Sequence, residues 1–198
     1  MKKDKLELRR QIFHLVFGVT IVMLLKFMLI DEIVIALVLI LGFAVSQLSK
    51  TFKIPIIYQF LLLFERKEEI KKFPGKGVLF YLVGILIVLI IPFSMEIALA
   101  SILILAFGDS VSHVFGIHFG KTRTIFSDRK FLEGSFAGFI AAFIGAKLFL
   151  PWHEAFAASF VAMVAENIGI RFGATQIDDN MFIPLIAATT VWIVRFFF

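Results

Sequence analysis

Asp109 and His113 stand four residues apart near the end of an apolar run, so on a helix they project from one face, with Gly116 and Gly120 continuing down that side. A carboxylate there can bind Mg²⁺ or hold a proton, and the glycines let a phosphate chain or a neighbouring backbone come close. The plainer alternative is a polar pair tying helices together, with Gly116 and Gly120 as small-residue packing. Ionisable residues inside an otherwise lipid-soluble segment face a protein interior or a wet cavity, which favours the functional reading for Asp109.

The following stretch, GKTRTIFSDRKFLEGS, gathers Lys121, Arg123, Arg129 and Lys130 just before a helix that begins at Glu133-Gly134-Ser135. Free N–H groups at a helix start attract phosphate, and nearby cations neutralise its remaining charge. Glu133 would repel a bare anion, so it makes more sense as a ligand to Mg²⁺ accompanying a nucleotide. A basic membrane-flanking loop with a capped helix accounts for Arg123 and Arg129, but poorly for Glu133.

Further along, Glu166 and Asn167 lie within an apolar segment, and Asp178, Asp179 and Asn180 precede the last one. An acidic cluster on a basic face is the expected partner of a divalent cation, although a solvated turn also uses Asp and Asn. Near the start, Glu7, Arg10 and His14 share a helical face at spacings of three and four. Pro74-Gly75-Lys76-Gly77 opens another apolar run and reads equally as a phosphate cradle or a helix-start turn.

The elements that must position these residues are membrane helices. Hydrophobic residues make up 60% of the 198, 26 are Phe, and mean hydropathy is +0.97, values far from those of a soluble domain. There are no cysteines, which excludes disulfides and thiolate metal sites. Seven apolar runs approach the roughly 20 residues a spanning helix needs: Ile12 to Ile30, Ile33 to Ser49, Val78 to Phe93, Ile97 to Ile117, Ser135 to Leu150, Ala155 to Ile170, and Phe182 to the C-terminus. Ile54 to Phe64 is too short to cross and is expected at the interface or as a half-helix. The expected fold is therefore all-α, one polytopic membrane-embedded domain over 1–198 with about seven transmembrane helices.

Of the 20 Lys and Arg residues, all but Lys26, Lys147 and Arg195 fall on the side of the N-terminus under seven spans. Cytoplasmic ends retain such cations, so the N-terminus is expected inside. Arg10, the Lys67 to Gly77 loop, the Gly120 to Glu133 loop and the Arg171 to Asn180 loop then share the cytoplasmic face, where nucleotides and Mg²⁺ are available.

Five segments, in this order, resemble the polyprenol and dolichol kinase family, which includes phytol kinases and CTP-dependent diacylglycerol kinases. They are ELRRQIFHLVFG at Glu7 to Gly18, FPGKGVLFYLVG at Phe73 to Gly84, FGDSVSHVFGIHFGKT at Phe107 to Thr122, KFLEGSFAGF at Lys130 to Phe139, and DDNMFIPL at Asp178 to Leu185. The central elements are also similar to CDP-diacylglycerol synthases, but the short Asp178-Asp179-Asn180 region with Pro184 is as in the kinases. The resemblance implies transfer of the γ-phosphate of CTP to the hydroxyl of a membrane lipid alcohol. It implies that Asp109, Glu133 and Asp179 hold Mg²⁺ with Asn180 assisting, and that Lys121, Lys130 and Arg10 contact the triphosphate. His113 or Asp109 would orient or deprotonate the lipid hydroxyl. Gly108, Gly116, Gly120 and Gly134 would permit close backbone approach, with Ser135 at the helix start among the nucleotide contacts.

The partners expected are a lipid alcohol and a nucleoside triphosphate, with no nucleic acid and a homodimer left open. The expected location is the cell membrane or an endoplasmic reticulum equivalent, with the active site facing the cytoplasm. The competing readings are a cytidylyltransferase making a CDP-lipid and a small transporter, the latter disfavoured because related halves are not evident.

Overall fold

The computed structural model describes residues 2–52, 54–169, 171–172, 175–176 and 178–197. The apolar runs form helices α1 (Lys2–Lys26), α2 (Glu32–Thr51), α5 (Lys76–Ile90), α6 (Met95–Phe119), α7 (Leu132–Ala146), α8 (Trp152–Ile168) and α9 (Asp179–Phe197). Between α2 and α5 lie the short helices α3 (Pro55–Phe64) and α4 (Lys67–Lys72). The boundaries have local causes. The Asp31 side chain accepts the Val34 N–H at 2.9 Å to start α2, Pro55 opens α3, and Gly75, at φ 78°, supplies the left-handed turn that launches α5.

The stretches before α7 and α9 are not plain loops. Strands β1 (Arg123–Thr124) and β2 (Ser127–Phe131) form one antiparallel hairpin, and β3 (Arg171–Phe172) pairs with β4 (Thr175–Gln176) in another. The side chains of Arg129 and of the Arg171 to Ile177 stretch, together with Ile170 and Phe198, lie outside the described residues.

Helix α6 lies at the centre, where its residues from Ile97 to Ala106 are buried. Its most extensive partner is α7. Their seam is made of small residues at helical spacing: a Cβ on Gly134 would lie 2.4 Å from the Ser112 carbonyl oxygen, and one on Gly138 would lie 2.7 Å from that of Gly108. Close backbone approach of this kind is how helices associate when lipid removes the hydrophobic drive. A second close approach joins α5 to α9. Pro184 lacks the N–H that would bond the Asn180 carbonyl one turn earlier, and Gly84 lets α5 come up against that carbonyl.

The outer surface is that of a membrane protein. On α2, Ile33, Leu37, Ile40 and Leu41 are each more than half exposed, a continuous apolar face that water would not tolerate. Four helices, Lys5–Lys26, Glu32–Thr51, Met95–Phe119 and Asp179–Phe197, are long and apolar enough to cross a membrane. The other three expected spans form helices of 15, 15 and 17 residues. Helices of that length reach only about 22–26 Å, less than the hydrocarbon core of roughly 30 Å.

At the end of the bundle away from Asp109, Arg195 closes α9 onto α8, its Nε and Nη2 donating to Glu154 at 2.9–3.1 Å. That pairing gives the cation of the last helix a partner inside the bundle. Lys26 settles over the Phe149 ring at the same end.

Candidate functional site

The polar residues singled out above converge at the other end of the bundle, where α1, α5, α7 and α9 begin and α2, α6 and α8 finish. Asp109 sits on α6 with its Oδ2 4.0 Å from His14 Nδ1 of α1. His14 is held in place by Asn180, whose Oδ1 accepts from Nε2 at 2.8 Å, and by the edge of the Tyr81 ring. With Nε2 donating, the Nδ1 lone pair turns toward Asp109 and toward Ser110 Oγ at 3.5 Å. The Asn180 amide in turn donates to the Gly77 carbonyl, so α1, α5, α6 and α9 meet at one residue.

One turn further on, His113 Nε2 lies 3.0 Å from Glu7 Oε1. Glu7 also receives Arg10 at 3.2 Å and Arg66 at 3.0 Å. Arg66 is held above its ordinary pKa: burial works against the charge, but its hydrogen bond and attraction to Glu7 outweigh it. This cluster fastens the start of α1 to α6 and to the N-cap of α4.

Lys130, from β2, reaches a different set of acids. Its Nζ is 3.0 Å from Glu166 Oε1 and 3.3 Å from Asp179 Oδ2, and it donates to the Glu166 carbonyl. Burial alone would lower the Lys130 pKa, yet attraction to Glu166 and Asp179 prevails and the ammonium is held above the ordinary lysine value. Glu166 is only 3% exposed. Ser112 donates to its Oε1 at 3.4 Å, while its Oε2 is buried without a partner.

Two clefts flank this stretch of α6. The larger lies open to the surface between α1, α2, α3 and α5; Phe13, Phe17, Phe60 and Leu61 line its apolar length, and His14, Asp109 and Asn180 its polar end. The smaller, of about 350 Å³, is lined by Ser112, His113, Gly116, Lys130, Ser135 and Glu166 among others. Ser135 Oγ donates to Asn167 Oδ1 at 2.7 Å and lies 3.0 Å from the Phe131 carbonyl as the alternative acceptor, which fixes the hydroxyl at the mouth of α7.

The remaining expected residues sit elsewhere. The Glu133 carboxylate accepts the backbone N–H groups of Lys121 and Thr122 at 3.0–3.2 Å, bracing the β1–β2 hairpin against α7. The Lys121 side chain is exposed beside it. Space beside three glycines is filled by the protein itself: Met163 against Gly108, Phe131 against Gly120, and the Ser112 carbonyl against Gly134. Their observed work is packing, whereas Gly116 borders the smaller cleft. Among the described residues no three His, Asp or Glu side chains converge as a metal-holding group. With Glu133 engaged by backbone and the Lys130 ammonium between Glu166 and Asp179, the arrangement does not fit the expected Mg²⁺ ligand set.

Glu166, His14 and Tyr81 gain most importance from the structure. The first two carried a sequence signal, as an acid inside an apolar run and as part of the Glu7–Arg10–His14 face. Tyr81 carried none, being one aromatic residue within a continuous apolar run.

No family model and no solved structure matches the chain. It is 34% identical over 186 residues to an uncharacterized protein of Methanocaldococcus jannaschii, a match covering 92% of this chain and 91% of that one. It is 28% identical over 140 residues to the CTP-dependent diacylglycerol kinase 1 of Schizosaccharomyces pombe, covering 64% of each chain, just under two thirds of that relative's length.

Proposed function

This chain belongs to the family of the Methanocaldococcus jannaschii protein, and from that premise and the site we propose that it is a CTP-dependent lipid kinase. The acceptor would be the hydroxyl of a membrane lipid alcohol of the polyprenol or dolichol type. The observation that carries the reading is the larger cleft: an apolar trough that ends on a carboxylate and an imidazole, one helical turn from a lysine-bearing second cleft. The likeness to the fission yeast kinase supports CTP as the donor.

In this reading the triphosphate lies at the smaller cleft, where Lys130 supplies fixed positive charge and Ser135 and the backbone beside Gly116 supply close polar contact. Arg10 and Lys121 approach from the rim. The lipid oxygen attacks the γ-phosphorus, the bond from that phosphorus to the β-bridging oxygen breaks, and CDP leaves. The hydroxyl proton passes to Asp109, beside which Asn180 fixes the His14 ring. His113, tied to Glu7, lines the donor side. Phosphoryl transfer depends mainly on positioning and charge neutralisation, which is what these side chains offer. The Lys-rich end faces the cytoplasm, with the three shorter helices completing seven spans.

The test is turnover of the reconstituted protein with CTP labelled at either the α- or the γ-phosphate, with Mg²⁺ present and polyprenol, short prenol and diacylglycerol as acceptors. Label from the γ position alone is expected in lipid, and Asp109→Asn is expected to lower kcat by about 100-fold or more. Lipid labelled from the α position would instead mean nucleotidyl transfer, and full activity of Asp109→Asn would remove the proposed site.

A further inference from the structure

Resting on the lipid-kinase reading, we propose that the larger cleft is the seat of the acceptor's hydrocarbon chain, taken up sideways from the bilayer between α2 and α3. Its charge excludes the nucleotide. Arg10 is the one lysine or arginine among its described lining residues, set against Asp109, Glu65 and Glu69. A triphosphate would meet net repulsion there. Most of its wall is aromatic or aliphatic, as a hydrocarbon chain requires.

Two residues along the same cleft carry buried polar atoms without hydrogen-bond partners, Gln11 Oε1 and Ser49 Oγ. Gln11 is 6% exposed. Polar atoms left unpaired in apolar surroundings carry a desolvation penalty that a bound molecule with a hydroxyl relieves. A hydrocarbon with a polar head matches the apolar length of the trough and its polar end at Asp109 and His14.

The walls differ in firmness. The floor is stitched: Ser46 donates to the Pro74 carbonyl at 2.6 Å, and the Gly75 N–H donates to Glu65 at 3.0 Å. The side is open in design, because α2 packs chiefly on α5 and α3 on α1 rather than on each other. The outer faces of both helices are apolar and exposed, Ile56 of α3 at 82% and Leu41 of α2 at 65%, so a chain can pass from lipid to cleft without meeting water.

The natural tryptophans, Trp152 and Trp192, both lie in the half of the protein away from this cleft, which permits a clean reporter. With both changed to Phe, Phe60→Trp places an indole at the rim of the cleft, and Ile40→Trp places one on the lipid face of α2 as control. The protein is reconstituted in phosphatidylcholine vesicles containing a long-chain alcohol brominated along its chain. Quenching at position 60 is expected to saturate and to be reversed by the unbrominated alcohol, while quenching at position 40 rises linearly and is not reversed. Val45→Phe, which narrows the cleft, is expected to raise the acceptor KM about tenfold with the CTP KM within about twofold. Saturable quenching without phosphoryl transfer would keep the cleft and overturn the kinase reading. Linear quenching at both positions, or transfer with the acceptor KM unchanged in Val45→Phe, would overturn the cleft assignment.

Discussion

Lys130→Met should expose how strongly the site depends on one buried ion pair. Glu166 is 3% exposed, and its charge is met by Lys130 Nζ at 3.0 Å. Two unit charges at that distance attract by about 5 kcal/mol at an effective dielectric of about 20, and desolvation of both groups offsets much of it. Removing the lysine alone leaves the desolvation without the attraction, so a loss of about 3–5 kcal/mol is expected. Glu166→Gln alone is milder, about 1 kcal/mol, because Lys130 keeps Asp179 at 3.3 Å and the Glu166 position's carbonyl. The double variant should lose only about 1–2 kcal/mol, giving a coupling of about 2 kcal/mol or more. Reversible unfolding in mixed micelles reads these values directly, and at roughly 2–4 °C per kcal/mol for a chain of this size the single lysine variant should melt about 6–20 °C lower. Losses in the two single variants that simply add in the double would refute the coupling. Activity must fall in every Lys130 variant if the ammonium also meets the triphosphate.

Gly134→Ala should destabilise by about 1–3 kcal/mol through overpacking of the α6–α7 seam, while Gly77→Ala, with nothing within 4 Å of its added carbon, should stay within about 0.5 kcal/mol; thermal melts of both check the seam. Arg195→Gln leaves Glu154 without its charged partner at the far end of the bundle, so melting temperature should drop while the KM values for nucleotide and acceptor stay unchanged; altered KM values would contradict the separation of the two ends. The Glu65 pKa is raised, chiefly by burial against the partial relief of the Gly75 N–H, so the folded state favours the protonated form. Its ionisation therefore costs stability as pH rises above the ordinary value near 4.5, and Glu65→Gln should melt higher than the parent at about pH 7 but equally at about pH 4. An advantage independent of pH would rule that cause out.

Helix positions were legible because apolar runs of membrane length leave few alternatives, and the short Ile54 to Phe64 run was legible as a half-helix for the same reason. The two hairpins were not, since KTRTIFSDRKF has charge at nearly every turn and little alternation, so it reads as a basic loop. Within the site, the one-turn spacing of Asp109 and His113 predicts their shared face, but nothing local predicts that His113 meets Glu7, 106 positions earlier in the chain, while Asp109 meets His14. Glu133 shows the opposite limit. Its acid looked free to bind a cation, whereas a carboxylate 11 and 12 residues past Thr122 and Lys121 can satisfy their N–H groups once a hairpin folds the chain back. The glycines at 134 and 138 lie one helical turn apart on α7, as those at 116 and 120 do at the end of α6, a pattern that a helix seam and a phosphate cradle share, and only the facing helix separates the two.

The two clefts also suggest why the reaction would not waste nucleotide on water. Asp109 borders the apolar trough and Ser112 and His113 the charged cleft, so the two clefts meet within a single turn of α6. Water reaching the γ-phosphate from the cytoplasm would have to take the place of a lipid hydroxyl delivered from the bilayer side, in a trough whose Phe13, Phe17, Phe60 and Leu61 walls disfavour it. Opening that wall with polar residues, for example Leu61→Asn, is therefore expected to raise CTP hydrolysis in the absence of lipid relative to the parent. Unchanged hydrolysis in a folded Leu61→Asn protein would show that water is excluded by some means other than the trough.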